Sequence, residues 1–344
     1  MKIRVLLVDD SGFMRIVLTD ILNSSEDIEV ADTATDGKEA VDKTVAIKPD
    51  VVLLDLTMKD YDGLYAVKNI MQKCPTPIVM LSSMGNTNPD AYVEALEAGA
   101  IDFLNKPAGL ANSKIRDIDR LIYNKIRSAA KVDVKNLPKQ KAVKNTHTHT
   151  FDSQIAYDAI VIAASTGGTG AIEHILSKLP ENLPLPIVIA QHMPAEFVYS
   201  FASRLDEAIA LQVKVATVGE SLKNGVVYIA PGDMNIKLEK LTKNIRIAES
   251  NIVYKEFNHP SADALLESAA EVYGARAIGI ILTGMGKDGA EGLEKMKKKG
   301  ALTIGQDEAS CVVWGMPKAA YEAGAVSKLL PLNEIATYVV SAIS

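Results

Sequence analysis

Ser165 stands in the run Ala164-Ser165-Thr166-Gly167-Gly168, directly after the apolar stretch AIVIAA (159–164) and before the helical pattern IEHILSKL. A serine at a strand-to-helix turn is exposed at the top edge of a sheet. The glycines let the chain turn tightly, and the helix N-terminus offers N–H groups and a dipole that favour negative charge. A nucleophile and an anion cradle can therefore share this loop, with Thr166, Gly167 and a backbone group near Met285 as the oxyanion region. A phosphate loop is the rival, since Gly168 and Gly170 begin a Gly-x-Gly-x-x-Gly. Position 173 is Glu, however, and no Gly-Lys-Ser/Thr follows. A serine nucleophile needs a base and an acid to orient it. His192 follows the apolar run PIVIAQ (186–191), and Asp288 follows AIGIILT (277–283) in Gly284-Met285-Gly286-Lys287-Asp288-Gly289. All three residues fall on loops after strands, on one edge of a sheet.

A second constellation lies near the start. IRVLLV (3–8) runs into Asp9 and Asp10, and VVLLDL (51–56) carries Asp55 near its end. Three carboxylates converging on one crevice repel one another unless a cation joins them, and oxygen ligands with a few waters suit Mg²⁺. The strand ending in Ser82 and the one leading to Asn105-Lys106-Pro107 aim a hydroxyl and an ammonium at the same crevice. Together these describe a carboxylate that accepts a phosphoryl group, its charge offset by Mg²⁺ and Lys106 and its oxygens bonded by Ser82.

The elements that must position these residues are short apolar runs alternating with helical periodicity. IRVLLV, IEVADTA, VVLLDL, PIVMLS and IDFLN are the strands of a first unit, separated by helical patterns such as KEAVDKTVAI and LYAVKNIMQK. Continuous apolar strands with helices between them predict a doubly wound parallel sheet, whose ligands sit beyond the strand carboxyl ends where the strand order reverses. From about residue 155 a second α/β unit follows, with AIVIAA, PIVIAQ, VVYIAP and AIGIILT as strands. Between them, residues 131–150 have no period, five lysines and two histidines, the composition of a solvated linker. The expected fold is α/β with two doubly wound parallel-sheet domains, a flavodoxin-like one over 1–125 and a Rossmann-like one over 154–344, joined by a linker over 126–153.

Composition narrows the function classes. Net charge is −6 overall, and neither domain-sized half is basic, which argues against nucleic acid as a partner. Two cysteines make no disulfide framework, and no apolar run is long enough to span a membrane. A cytoplasmic protein, not inserted in a membrane and monomeric, is expected. Cys311 sits in the apolar run SCVVWGMP and reads as a buried thiol rather than a nucleophile. His147 and His149 have no further metal ligands nearby in sequence and read as linker residues.

The first set of residues resembles the receiver domain of two-component response regulators. The resemblance implies that Asp55 is the phosphorylated residue, Asp9 and Asp10 with Asp55 hold the metal, Ser82 is the switch hydroxyl, Lys106 the conserved-type lysine and Phe103 the aromatic switch. Met58-Lys59 stands where the receiver pattern has Met-Pro. Taken with ASTGGT, QHMPAEFVYSFASRL, YIAPGDMN, ILTGMGKDGAEG and EASCVVWGMPKAA, the whole chain resembles the chemotaxis response-regulator protein-glutamate methylesterases. That resemblance implies a Ser165–His192–Asp288 triad, no cofactor for hydrolysis, and a phosphorylation-activated esterase acting on glutamate methyl esters of methyl-accepting chemoreceptors. A glutamine deamidase activity and a chemotaxis histidine kinase as phosphodonor are implied with it. The chain departs where the family has His-Arg-Pro-Ser, having Asn258-His259-Pro260-Ser261. Two alternatives remain from the residues alone: a nucleotide-binding output module, and a regulator that acts by contact without catalysis.

Overall fold

The structure, a computed structural model, describes residues 2–82, 88–106, 115–134, 137, 148–151, 156–242, 244–254 and 259–344, without the side chains of 115–118. Pro107, His147 and Asn258, named above, lie outside the described residues. The chain divides into two compact units, Met1–Leu137 and Pro138–Ser344.

In the first unit β1 (Ile3–Val8), β2 (Ile28–Ala34), β3 (Val51–Asp55), β4 (Ile78–Ser82) and β5 (Asp102–Asn105) form one parallel sheet in the order β2-β1-β3-β4-β5. Every residue of β3 and β4 is buried, as the uninterrupted apolar runs require when helices cover both faces. The covering helices are α1 (Gly12–Asn23), α2 (Gly37–Ile47), α3 (Gly63–Lys73), α4 (Pro89–Glu97) and α5 (Ile115–Ala129). Asp36 and Asp62 start α2 and α3 by accepting backbone N–H bonds in their first turns, caps worth about 1 kcal/mol each. The strand order reverses between β1 and β3, so Asp9, Asp10 and Asp55 meet there.

The second unit has a seven-stranded sheet in the order β14-β13-β12-β6-β7-β9-β8, with every neighbouring pair parallel. Its strands are β6 (Ala159–Ala164), β7 (Ile187–Gln191), β8 (Gln212–Val215), β9 (Val226–Ile229), β12 (Ala277–Ile281), β13 (Leu302–Gln306) and β14 (Lys328–Leu330). The helices are α6 (Gly168–Leu176), α7 (Ala195–Ala208), α8 (Ala262–Tyr273), α9 (Ala290–Lys298), α10 (Met316–Glu322) and α11 (Leu332–Ile343). An antiparallel hairpin of β10 (Asn235–Lys240) and β11 (Ile245–Ser250) stands apart from the sheet. The sequence reading did not foresee it. It packs on α8, where Leu238 donates its N–H to Ser268 Oγ at 2.9 Å.

Leu265, Leu266, Ala269 and Ala270 of α8 and Leu293 and Met296 of α9 belong to one buried core. Gly292 makes the close crossing of these helices possible, since a Cβ there would lie 2.7 Å from Leu266 Cβ. That crossing brings the first turns of α8 and α9 together beside the carboxyl edge of the sheet.

Candidate active site and acidic pocket

Ser165, His192 and Asp288 are assembled by strand register. Ala164 of β6 pairs with Gln191 of β7, so Ser165 and His192 are the next residues on neighbouring strands, about 5 Å apart by strand spacing. His192 donates its N–H to Ala164 O at 2.9 Å, and Ser165 donates its own to Thr283 O, beyond β12, at 3.0 Å. Ser165 therefore sits between the loop after β7 and the loop after β12. Gly284 permits that approach: a Cβ there would lie 2.7 Å from Ser165 Cβ and 2.4 Å from Met316 Sδ. Gly167 has φ +74°, the left-handed region that favours glycine, and starts α6 directly after the serine. Thr166 is buried and Met285, next to Gly284, is half-buried.

His192 Nε2 meets Asp288 Oδ2 at 2.8 Å. Asp288 is 1% exposed and is held at the N-terminus of α8. Its oxygens accept from Ala262 N at 2.7 Å, Asp263 N at 3.0 Å and Ser261 Oγ at 3.1 Å. Burial pushes the Asp288 carboxyl up. The His192 hydrogen bond and charge, with the Asp263 and Ala262 N–H groups, outweigh it and hold the carboxyl below its ordinary value. An ionised acid in this cradle fixes the orientation of the imidazole.

Three contacts escaped the sequence reading. Gln191, buried at the end of β7, donates Nε2 to both Ser165 O and His192 O at 3.0 Å, tying the serine and histidine loops together. Asn235, at the start of β10, accepts from Ser261 N at 2.6 Å and so seats the cap of α8. Thr283 Oγ1 donates to Thr166 O at 3.0 Å. The polar residue ending an otherwise apolar PIVIAQ is the only local signal for any of them. Cys311 is buried, and burial with the Asp307 and Glu308 charges pushes its thiol far up, so it lacks the thiolate a nucleophile needs. Among the described residues, His149 bonds Asn182 and Ser344.

In the first unit, Asp9, Asp10 and Asp55 bring carboxylate oxygens within 4.8 Å of one another, the only such metal-capable group among the described residues. Asp9 and Asp55 are buried and Asp10 is exposed. Lys106 Nζ lies 2.7 Å from Asp9 Oδ2 and 2.9 Å from Asp55 Oδ2. The register Ser82↔Asn105 sets that lysine beside Ser82, whose carbonyl accepts from Lys106 N at 2.7 Å. Burial pushes the Asp55 carboxyl up to about 6, against the lowering effect of Lys106, and the Asp9 charge adds to the rise. Burial lowers the Lys106 ammonium, but Asp55 and Asp9 raise it more, so it stays charged. Asp55 Oδ1 and Ser82 Oγ are buried without a hydrogen-bond partner. Two orphaned oxygens facing an incomplete cluster fit a cation and a phosphoryl group. Phe103, one strand away, is half-buried with Lys125 Nζ 5.2 Å from its ring centre.

Residues 160–339 match the family of CheB methylesterases, and residues 5–116 match the response regulator receiver domain. A protein-glutamate methylesterase/protein-glutamine glutaminase of Thermotoga maritima is 42% identical, over 97% of this chain and 96% of that protein. One of the same name from Pyrococcus abyssi is 41% identical, over 99% and 94%. The crystal structure of the Thermotoga maritima CheB methylesterase catalytic domain aligns with 54% of this chain and 98% of that domain, at 40% identity and TM-score 0.53. Neither a nucleotide-binding output module nor a non-catalytic regulator is favoured by these likenesses.

Proposed function

The chain belongs to the CheB methylesterase family, with a response regulator receiver domain ahead of the catalytic one, and from that premise we propose how its own residues carry the reaction. Ser165 attacks the γ-carbonyl of a glutamate methyl ester on a chemoreceptor. His192 takes the serine proton and returns it to the leaving methanol, and Asp288 steadies the imidazolium. Backbone N–H groups at Thr166, Gly167 and Met285 receive the oxyanion. Water then attacks the acyl-enzyme with His192 as base, releasing the glutamate carboxylate and restoring Ser165. With a receptor glutamine the same cycle releases ammonia, the deamidase reaction. Hydrolysis draws on no cofactor.

The observation that carries this reading is the 2.8 Å bond from His192 Nε2 to the anchored Asp288, one strand from Ser165. It directs the other ring nitrogen, Nδ1, to the nucleophile. Ester hydrolysis by the purified chain, beside Ser165→Ala, tests it; equal rates would refute it.

The receiver, over residues 1–125, controls the catalytic domain, over 154–344, through the linker 126–153. Asp55 is the phosphoacceptor, its free oxygen attacking the phosphorus of a phosphohistidine on the chemotaxis kinase. Asp9, Asp10 and Asp55 would hold Mg²⁺, which when bound offsets charge on the phosphoryl oxygens. Lys106 pairs with those oxygens and Ser82 donates its hydroxyl to them, while Phe103 reports the change to the domain surface. No helix of the described residues is long and apolar enough to cross a membrane; a monomer working in the cytoplasm, without nucleic acid, is part of the proposal.

A further inference from the structure

Asp263 is a buried acid that the reaction as written does not use. It lies in the first turn of α8, 9% exposed, with its backbone N–H on Asp288 Oδ1 at 3.0 Å. Its own Oδ1 accepts from Gly292 N, in the first turn of α9, at 2.7 Å. The Asp263 and Asp288 side chains also lie within hydrogen-bonding reach of each other. Two carboxyls enclosed together do not both ionise readily. Asp288 has four partners that favour its anion: His192, Ser261 Oγ and the N–H groups of Ala262 and Asp263. The side chain of Asp263 has the Gly292 N–H.

We propose that Asp263 is a positioning residue of the triad, standing as a neutral acid that donates a hydrogen bond to the ionised Asp288. The proposal rests on Asp288 being the triad acid. The proton resides on the carboxyl with fewer donors, and the charge on the one that faces His192. An ionised Asp263 would instead set a second negative charge beside the Asp288–His192 pair.

The surroundings support this assignment. Burial raises the Asp263 carboxyl most, the Gly292 N–H opposes it, and the Asp288 charge and hydrogen bond raise it further. Glu267, one turn along α8, adds to the rise and is itself paired with Lys295 of α9 at 2.6 Å. Among the described residues, Tyr254, after β11, and Lys295 also feel the Asp263 charge.

The test is a pH titration of aspartate carboxyl carbons by NMR in the full-length chain. Asp55→Asn and Asp119→Asn remove the other aspartates raised by burial. One carboxyl is expected to remain protonated at about pH 6, where an ordinary aspartate is ionised, and to vanish with Asp263→Asn. Asp263→Ala is expected to lower kcat about tenfold with KM unchanged, the scale of a small misorientation. Asp263→Asn, which keeps a donor and stays neutral, is expected to rescue kcat. Carboxyls all ionised at about pH 6, or an Asp263→Asn kcat no higher than that of Asp263→Ala, overturn the proposal. Should that variant not fold, the parent's spectrum decides. The titration needs no esterase, so a silent Ser165 and an ionised Asp263 are separate failures.

Discussion

Asp288 holds His192 through Nε2, with Oδ2 at 2.8 Å. In the protease template the acid grips the other nitrogen, Nδ1, and Nε2 serves the nucleophile. Here Asp288 grips Nε2 instead, and under the proposed mechanism an exchange of roles leaves Nδ1 for the nucleophile. The strand order explains the exchange: acid and base come from β12 and β7, which flank the strand that carries the serine.

Ser165→Ala and His192→Ala are each expected to lower ester turnover by about three orders of magnitude or more, and the double variant by hardly more, because triad members act as a unit. Asp288→Ala should cost less turnover and more stability. It strands the Ala262 and Asp263 N–H groups and the Ser261 hydroxyl in a buried site, a penalty of about 1–3 kcal/mol for each donor left unpaired. Kinetics and urea unfolding on the same samples separate the two effects.

Gly284→Ala is expected to damage catalysis from a residue with no chemistry of its own. The new methyl would meet Met316 Sδ at 2.4 Å and Ser165 Cβ at 2.7 Å, so the serine turn must shift. A loss of about a hundredfold in kcat is expected for displacement on the ångström scale. Wild-type kcat in this variant would show that the serine does not depend on the close approach.

Gln191→Leu keeps the volume and removes both bonds that join the Ser165 and His192 carbonyls. The expected result is a fall in kcat of about tenfold with little change in KM, since orientation rather than binding is lost. A rise in KM alone would place Gln191 in substrate binding instead.

Asp55→Asn should accept no phosphoryl group, and phosphodonor should no longer raise its activity on intact receptor. In Mg²⁺-free buffer it should also stabilise the fold. The native carboxyl, raised to about 6 from an ordinary 3.8, holds its proton more tightly than the unfolded one. Wild-type stability from this group is therefore greatest below about 4 and falls as pH rises towards 6, a difference of about 3 kcal/mol. The variant's advantage in urea unfolding should be largest near pH 8 and shrink as pH falls towards 4. An advantage that grows with acid would contradict the buried-carboxyl account.

Residues of the proposed catalytic and phosphoacceptor sites could be picked out where they end a continuous apolar run, since strand ends on one edge meet at a switch point. Asp9, Asp55, Ser165 and His192 all follow that rule. What holds them was not legible. Asn235 reaches Ser261 across 26 residues, and Asp288 reaches the first turn of α8 across a similar span. Such side-chain-to-backbone bonds leave no period in the sequence. The β10–β11 hairpin was missed for a related reason: NIKLEK and IRIAES alternate weakly and are half polar, whereas the central parallel strands AIVIAA and AIGII are apolar throughout.

The order of β12, β6 and β7 in the sheet bears on how this enzyme is made. The bond between Asp288 and His192 spans the strand that carries the serine, and its acid arrives late in the chain. A nascent chain halted before residue 288 holds nucleophile and base but no acid, and its α8 N-terminus has no carboxylate to grip. Under the proposed mechanism, copies cut short before residue 288 therefore turn over receptor esters more slowly than the finished chain.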